Sequence, residues 1–248
     1  MQKTRVFDFL IIVLLYIALS CFPFGLIIKD EKLSWLILAL EIVVQVGLFV
    51  FILLFSIFKS SLDYKNRKIN VINTLLLIPT LAVCFSNLVN LRIANESIQV
   101  AANWSLFLHI LLTIFVVINE EIIFRLLLIN NLEFNNKLFV ILLSAGLFGF
   151  CHISHFLSTF NPADLLIIVY TFLLGLLLSF AYLFSNSIYP CVAIHLLFNL
   201  LNNILFPYFT LNWVYILISA LFAVGVAIYI AIILIIKTYK KNTSNQHS

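Results

Sequence analysis

The chain has 248 residues, of which 64% are hydrophobic and only 10% charged, with a net charge of +4 at pH 7. A soluble domain carries about 25% charged residues, so water is excluded as the main solvent. The 14 Lys and Arg sit almost entirely in the gaps between apolar runs rather than on one face, which excludes a nucleic-acid-binding face.

A spanning helix needs about 20 mostly apolar residues. On that measure spans fall near 7–28, 33–58, 69–91 and 104–130, then near 137–154, 164–185, 188–206 and 212–236. The expected fold is therefore all-α, a polytopic membrane protein of about eight transmembrane helices. Lys3 and Arg5 before an apolar run superficially resemble a secretory signal. Ala18-Leu19-Ser20-Cys21 faintly resembles a lipoprotein cleavage site, but the run continues to Ile28 without a good small-residue site and further spans follow, so a retained first helix is expected. The shortest connection is Ser185-Asn186-Ser187, and Pro79, Pro190 and Pro207 are too scattered to predict broken helices.

Basic residues alternate in density along the connections. With the N-terminus inside, the inner side collects Lys3, Arg5, Lys59, Lys65, Arg67, Lys68, Lys137, Lys237, Lys240 and Lys241. The outer side has only Lys29, Lys32 and Arg92, so both termini are expected to be cytoplasmic in a multi-pass protein of the cell membrane. No separate polar domain interrupts the spans. The chain divides as N-terminal helices over 1–103, a core over 104–206, and a last helix with a short polar tail over 207–248. Cys21, Cys84, Cys151 and Cys191 each fall in an apolar segment with no CxxC spacing, which reads as packed thiols.

Charged groups inside a bilayer cost several kcal/mol, so an intramembrane cluster of them is by default a functional-site hypothesis. The fourth span carries Asn119-Glu120-Glu121-Ile122-Ile123-Phe124-Arg125, the fifth Phe148-Gly149-Phe150-Cys151-His152 and the seventh His195-Leu196-Leu197-Phe198-Asn199. Glu121 and Arg125 are separated by i,i+4, which predicts an ion pair on one helix face. Glu120 lies about 100° around the helix and is expected to stand without that partner, as a general base would. His195 and Asn199 are again i,i+4 and share a face. At about 1.5 Å per residue, Glu120, His152, His195 and Asn199 fall at depths of about 10–22 Å from the inner boundary, close enough for one site.

Each residue also has a structural reading. Paired glutamates can be a solvated helix end, a lone His a hydrogen-bonded packing residue, and Asn199, Asn202 and Asn203 interhelical glue. His155 is expected at the outer interface, while Glu41, Gln45 and His109 are expected to be structural.

The three motifs together resemble the CPBP intramembrane proteases, related to the CAAX prenyl endopeptidases and also called the Abi family. Its pattern is Glu-Glu-x-x-x-Arg, Phe-x-x-x-His and His-x-x-x-Asn on successive membrane helices. Here those positions are Glu120, Glu121 and Arg125, then Phe148 and His152, then His195 and Asn199, over residues 104–206. The resemblance implies endopeptidase chemistry within the membrane, with Glu120 and His152 activating a water, His195 and Asn199 stabilising the oxyanion, and Glu121 and Arg125 in support. Family members often carry a second small residue, usually Gly, four after the Gly of the sixth span; here Gly175 is followed by Ser179.

No cofactor follows from the residues. Two histidines and a glutamate would suit Zn²⁺ with an open water position, and the family has been described both as metalloproteases and as glutamate-dependent enzymes. The lack of His-Glu-x-x-His points the other way. The expected partners are the lipid bilayer and a peptide or membrane-protein substrate, with no nucleic acid and no readable oligomeric state. Three function classes fit: the protease, a non-proteolytic bacteriocin-immunity or binding protein on the same scaffold, and a small proton-coupled transporter.

Overall fold

The computed structural model describes residues 2–20, 34–58, 69–85, 104–129, 137–153, 156–157, 160, 162, 165–204, 217, 220–222, 224–233 and 235–236. Among them the regular structure is helical throughout. We number the elements α1 (Gln2–Ser20), α2 (Ser34–Phe58), α3 (Val71–Leu75), α4 (Trp104–Glu121), α5 (Lys137–Phe150), α6 (Leu165–Ser185) and α7 (Tyr189–Asn199), with α8 over Ala220–Ile233. The chain is an all-helical membrane protein. Trp35–Phe55, Trp104–Ile129 and Ile167–Ser185 are long and apolar enough to cross a bilayer, and Asp8–Leu19, Val71–Phe85, Leu138–Phe150, Tyr189–Asn202 and Ala220–Ile233 are shorter apolar helices.

Three spans depart from straight α-helices. The third is not one helix: α3 ends at Leu75, and a 3-10 segment, Ile78–Phe85, follows. Pro79 lies within it and has no N–H to donate, and the neighbouring bonds shorten to i,i+3, from Leu77 N–H to Thr74 O (3.0 Å) and from Thr80 N–H to Leu77 O (2.9 Å). The fourth and seventh spans widen into π-helix, at Ile122–Ile129 directly after Glu121 and at Leu200–Ile204 directly after Asn199. Hydrophobic periodicity does not distinguish these windings from α, and π-turns are frequent at functional sites.

The short 185–188 connection is a tight turn. Asn186 adopts a positive φ of 56°, a conformation Asn tolerates better than most residues. The Ser185 hydroxyl donates to Ala181 O (2.7 Å) and accepts from Ser187 N–H (3.2 Å). Pro190, in the first turn of α7, sits where its missing N–H costs nothing.

The core is formed by α5 packing along α6, α2 along α4, and α7 against α4, α6 and the 3-10 segment. The approach of α5 to α6 depends on glycine. A Cβ on Gly149 would lie 2.9 Å from Ile168 O and 3.0 Å from Phe172 Cβ, and one on Gly175 would lie 3.0 Å from Ala145 Cα. Small residues allow this close packing where lipid supplies no hydrophobic drive between helices. Gly149→Ala is therefore expected to lower stability by about 1–3 kcal/mol, the usual cost of overpacking, measured as a lower melting temperature in detergent.

Candidate active site

The site is built from α4 and its π-turn, α5, α6, α7 and α1. Glu121 is completely buried, and its two oxygens are bound separately. Oε2 accepts from Arg125 Nε at 2.9 Å, and Oε1 lies 2.9 Å from His195 Nδ1. The predicted i,i+4 pair is present, and it does more than neutralise charge. A carboxylate only accepts, so Nδ1 of His195 carries the proton and the ring is locked in one orientation.

Arg125 is equally buried. Its Nη1 donates to Ser144 Oγ on α5 at 2.6 Å and to Ser179 Oγ on α6 at 3.0 Å, and its guanidinium carbon lies 5.3 Å from the centre of the Phe148 ring. The Ser144 hydroxyl donates to Phe124 O at 2.9 Å, and the Ser179 hydroxyl to Gly175 O at 2.8 Å. Ser179, where the family often has Gly, thus preserves close packing and also supplies an acceptor for the guanidinium. Removing it leaves a charged donor underbonded in a dry core. Ser179→Ala is expected to lower stability by about 1–3 kcal/mol, the cost of a buried unsatisfied group, read from melting in detergent.

The His195 ring presents its other nitrogen to two residues. Asn199 Nδ2 lies 3.2 Å from Nε2, and Glu120 Oε2 lies 3.6 Å from it. Glu120 stands without Arg125 as a partner, as its place on the helix implies, and its Oε1 accepts a hydrogen bond of 2.5 Å from the Tyr16 hydroxyl of α1. Helical arithmetic on α4 cannot foresee a partner that sits 104 residues earlier in the chain. Tyr16 was missed because a tyrosine in an apolar run reads as packing or interface, and its ring does pack edge-on against Phe124 at 6.5 Å.

His152 occupies the turn that ends α5, its N–H bonding to Gly149 O at 3.1 Å. It is half-buried, and its Nδ1 lies 2.9 Å from Phe148 O. A carbonyl only accepts, so the proton sits on Nδ1 and Nε2 carries the lone pair. The Phe148 ring packs against both histidines, with centroid distances of 5.3 Å to His152 and 5.4 Å to His195.

The other polar residues divide as their surroundings require. Gln45 on α2 is buried and accepts from Asn119 Nδ2 at 2.9 Å through both its side chain and its carbonyl, which fixes the α4 turn preceding Glu120. Asn202 donates to Cys84 O (3.3 Å) and Phe198 O (2.9 Å), the interhelical role expected of it. His109 Nδ1 lies 2.8 Å from Ser105 O on the exposed side of α4. Cys84 and Cys191 are buried free thiols directed at the carbonyls of Ile194 and Leu178. Cys21 and His155 lie outside the described residues, as does the side chain of Asn203.

Residues 102–201 match the family model described as Rce1-like, type II CAAX prenyl endopeptidase. Over this segment, less than half of the chain, the protein is similar to that family of proteases. The match covers Glu120, Glu121, Arg125, Ser144, Phe148, His152, Ser179, His195 and Asn199, and it leaves out Tyr16 and Gln45. No curated protein and no solved structure matches the chain.

Among the described residues no three His, Cys, Asp or Glu side chains converge closely enough to hold a metal ion. The donors that Zn²⁺ would use are engaged elsewhere. His195 Nε2 faces the Asn199 amide, and one Glu120 oxygen holds the Tyr16 hydroxyl. As arranged, these residues do not fit a three-ligand site, and no step below runs through a metal.

Proposed function

We propose that the chain is an intramembrane endopeptidase that hydrolyses peptide bonds of membrane-associated or small peptide substrates, in a multi-pass protein of the cell membrane with both termini cytoplasmic. The observation that carries this reading is the approach of Glu120 Oε2 to His195 Nε2, 3.6 Å, both of them buried, beside the amide of the half-buried Asn199. A packing role alone would not need two acids, a guanidinium and an imidazole wired together from several helices.

Glu120 acts as the base that takes a proton from the attacking water, with Nε2 of His152 holding that water. A proton then shared between Glu120 and His195 Nε2 turns that nitrogen into a donor. His195 and Asn199 together receive the charge that develops on the carbonyl oxygen, worth most where water is excluded. Glu121 keeps the imidazole oriented, and Arg125 holds Glu121 through its link to Ser144 and Ser179. The proton returns to the leaving amine as the intermediate collapses.

The test is incubation of the purified protein in nanodiscs with a panel of membrane-anchored peptides, with and without a chelator. Cleavage that survives chelation supports the metal-free scheme, and cleavage abolished by it overturns that scheme. If the wild type cleaves nothing in the panel and instead confers bacteriocin immunity or carries proton-coupled flux in liposomes, the protease reading is wrong.

A further inference from the structure

The Glu120 carboxylate has two oxygens with different surroundings. Oε2 faces His195 Nε2 at 3.6 Å, whereas Oε1 takes the Tyr16 hydroxyl at 2.5 Å. A buried tyrosine hydroxyl usually finds some partner, and a backbone carbonyl would serve for that. Here the partner is the one carboxylate of the site that Arg125 does not bind. The bond is short and charge-assisted, the strong class of hydrogen bond. Tyr16 is itself held: it is 3% exposed, and its ring stands at 88° to that of Phe124.

We propose that Tyr16 is a positioning residue for Glu120, one that occupies Oε1 and so leaves Oε2 as the oxygen that exchanges protons with water and His195. The inference rests on the reading of Glu120 as the base. Its consequence is that the Rce1-like segment, residues 102–201, does not hold a complete centre, because α1 supplies a part of it. The contact of α1 with the π-turn Ile122–Ile129 is the physical route by which it does so. Without the hydroxyl, the carboxylate rotates between two arrangements, and only one of them points a lone pair at the reacting water.

The experiment uses the full-length protein in nanodiscs and a fluorogenic peptide with one apolar transmembrane anchor. Wild type and Glu120→Ala are compared first. If the wild type does not cleave, or if Glu120→Ala cleaves as well, the base reading fails and Tyr16 loses its role with it. With that reading established, Tyr16→Phe removes only the hydroxyl. The expected result is a kcat about tenfold lower, the size expected for losing a hydrogen bond to a charged group, with KM unchanged and a melting temperature lowered no further than in the packing control below. Ile12→Ala, one turn earlier on the same buried face of α1, serves as the packing control and is expected to lower the melting temperature while keeping kcat. The proposal is overturned if Tyr16→Phe keeps the wild-type kcat while Glu120→Ala is inactive, or if Ile12→Ala reproduces the kcat loss.

Discussion

Arg125→Leu is expected to cost the protein about 3–5 kcal/mol of stability, the effect of removing one partner from a buried ion pair. The cause is what the substitution leaves behind rather than what it removes. Glu121 would be stranded as a charge with no exposed surface, facing only His195 Nδ1, and the Ser144 and Ser179 hydroxyls would lose the donor they share. Arg125→Lys is expected to recover little of the loss. Nε must reach Glu121 on α4 while Nη1 reaches α5 and α6, and a single ammonium has no such fork. Reversible unfolding in mixed SDS and detergent micelles measures both variants. Wild-type stability in Arg125→Leu would remove Arg125 as the link that joins the three helices.

The second large effect is on rate. His195→Ala is expected to reduce cleavage by about 10²–10⁴-fold, the range for removing a positioned acid–base group. The imidazole is the only described side chain that joins both acids of the motif, with Nδ1 on Glu121 and Nε2 toward Glu120. Its loss disconnects the base from the buried ion pair. Asn199→Ala should cost less, at most about 10²–10³-fold, because it removes one oxyanion donor and leaves proton transfer in place. Steady-state kinetics on one anchored peptide give both numbers. The opposite order of effects would exchange the roles of the two residues.

Much of this centre was legible in the sequence because its pieces are local. Glu121 with Arg125 and His195 with Asn199 are each one helical turn apart, and the two pairs meet as their spacing implies. The all-helical membrane fold followed from apolar run lengths, which need no tertiary information. What escaped was non-local or a matter of winding. Tyr16, Ser144 and Ser179 carry no motif, since a single hydroxyl in an apolar run gains meaning only from the helix packed against it. The π-turns after Glu121 and Asn199 and the 3-10 segment around Pro79 preserve apolar composition, so periodicity misses them. Depth along ideal helices places His152 near the others, and the turn at Cys151 and His152, with Phe148 packed against both histidines, is a local detail that such arithmetic does not give.

The departure at Ser179 shows why a motif residue is best judged by what it touches. In sequence it is a slightly larger substitute for glycine; in the fold it is an acceptor for Arg125 on a helix whose close approach is already secured by Gly175. Gln45 is similar. It reads as a stray polar group in α2, and it anchors Asn119 just before the paired glutamates.

The central claim is that Glu120 is the base of a peptide-hydrolysing centre. The most direct measurement is mass spectrometry of a panel of membrane-anchored peptides after incubation with purified wild type or with Glu120→Ala, at matched reconstitution into nanodiscs. The predicted result is new peptide termini with the wild type and none with Glu120→Ala, with both proteins folded to the same extent. Termini appearing equally with both, or with neither across the whole panel, would contradict it.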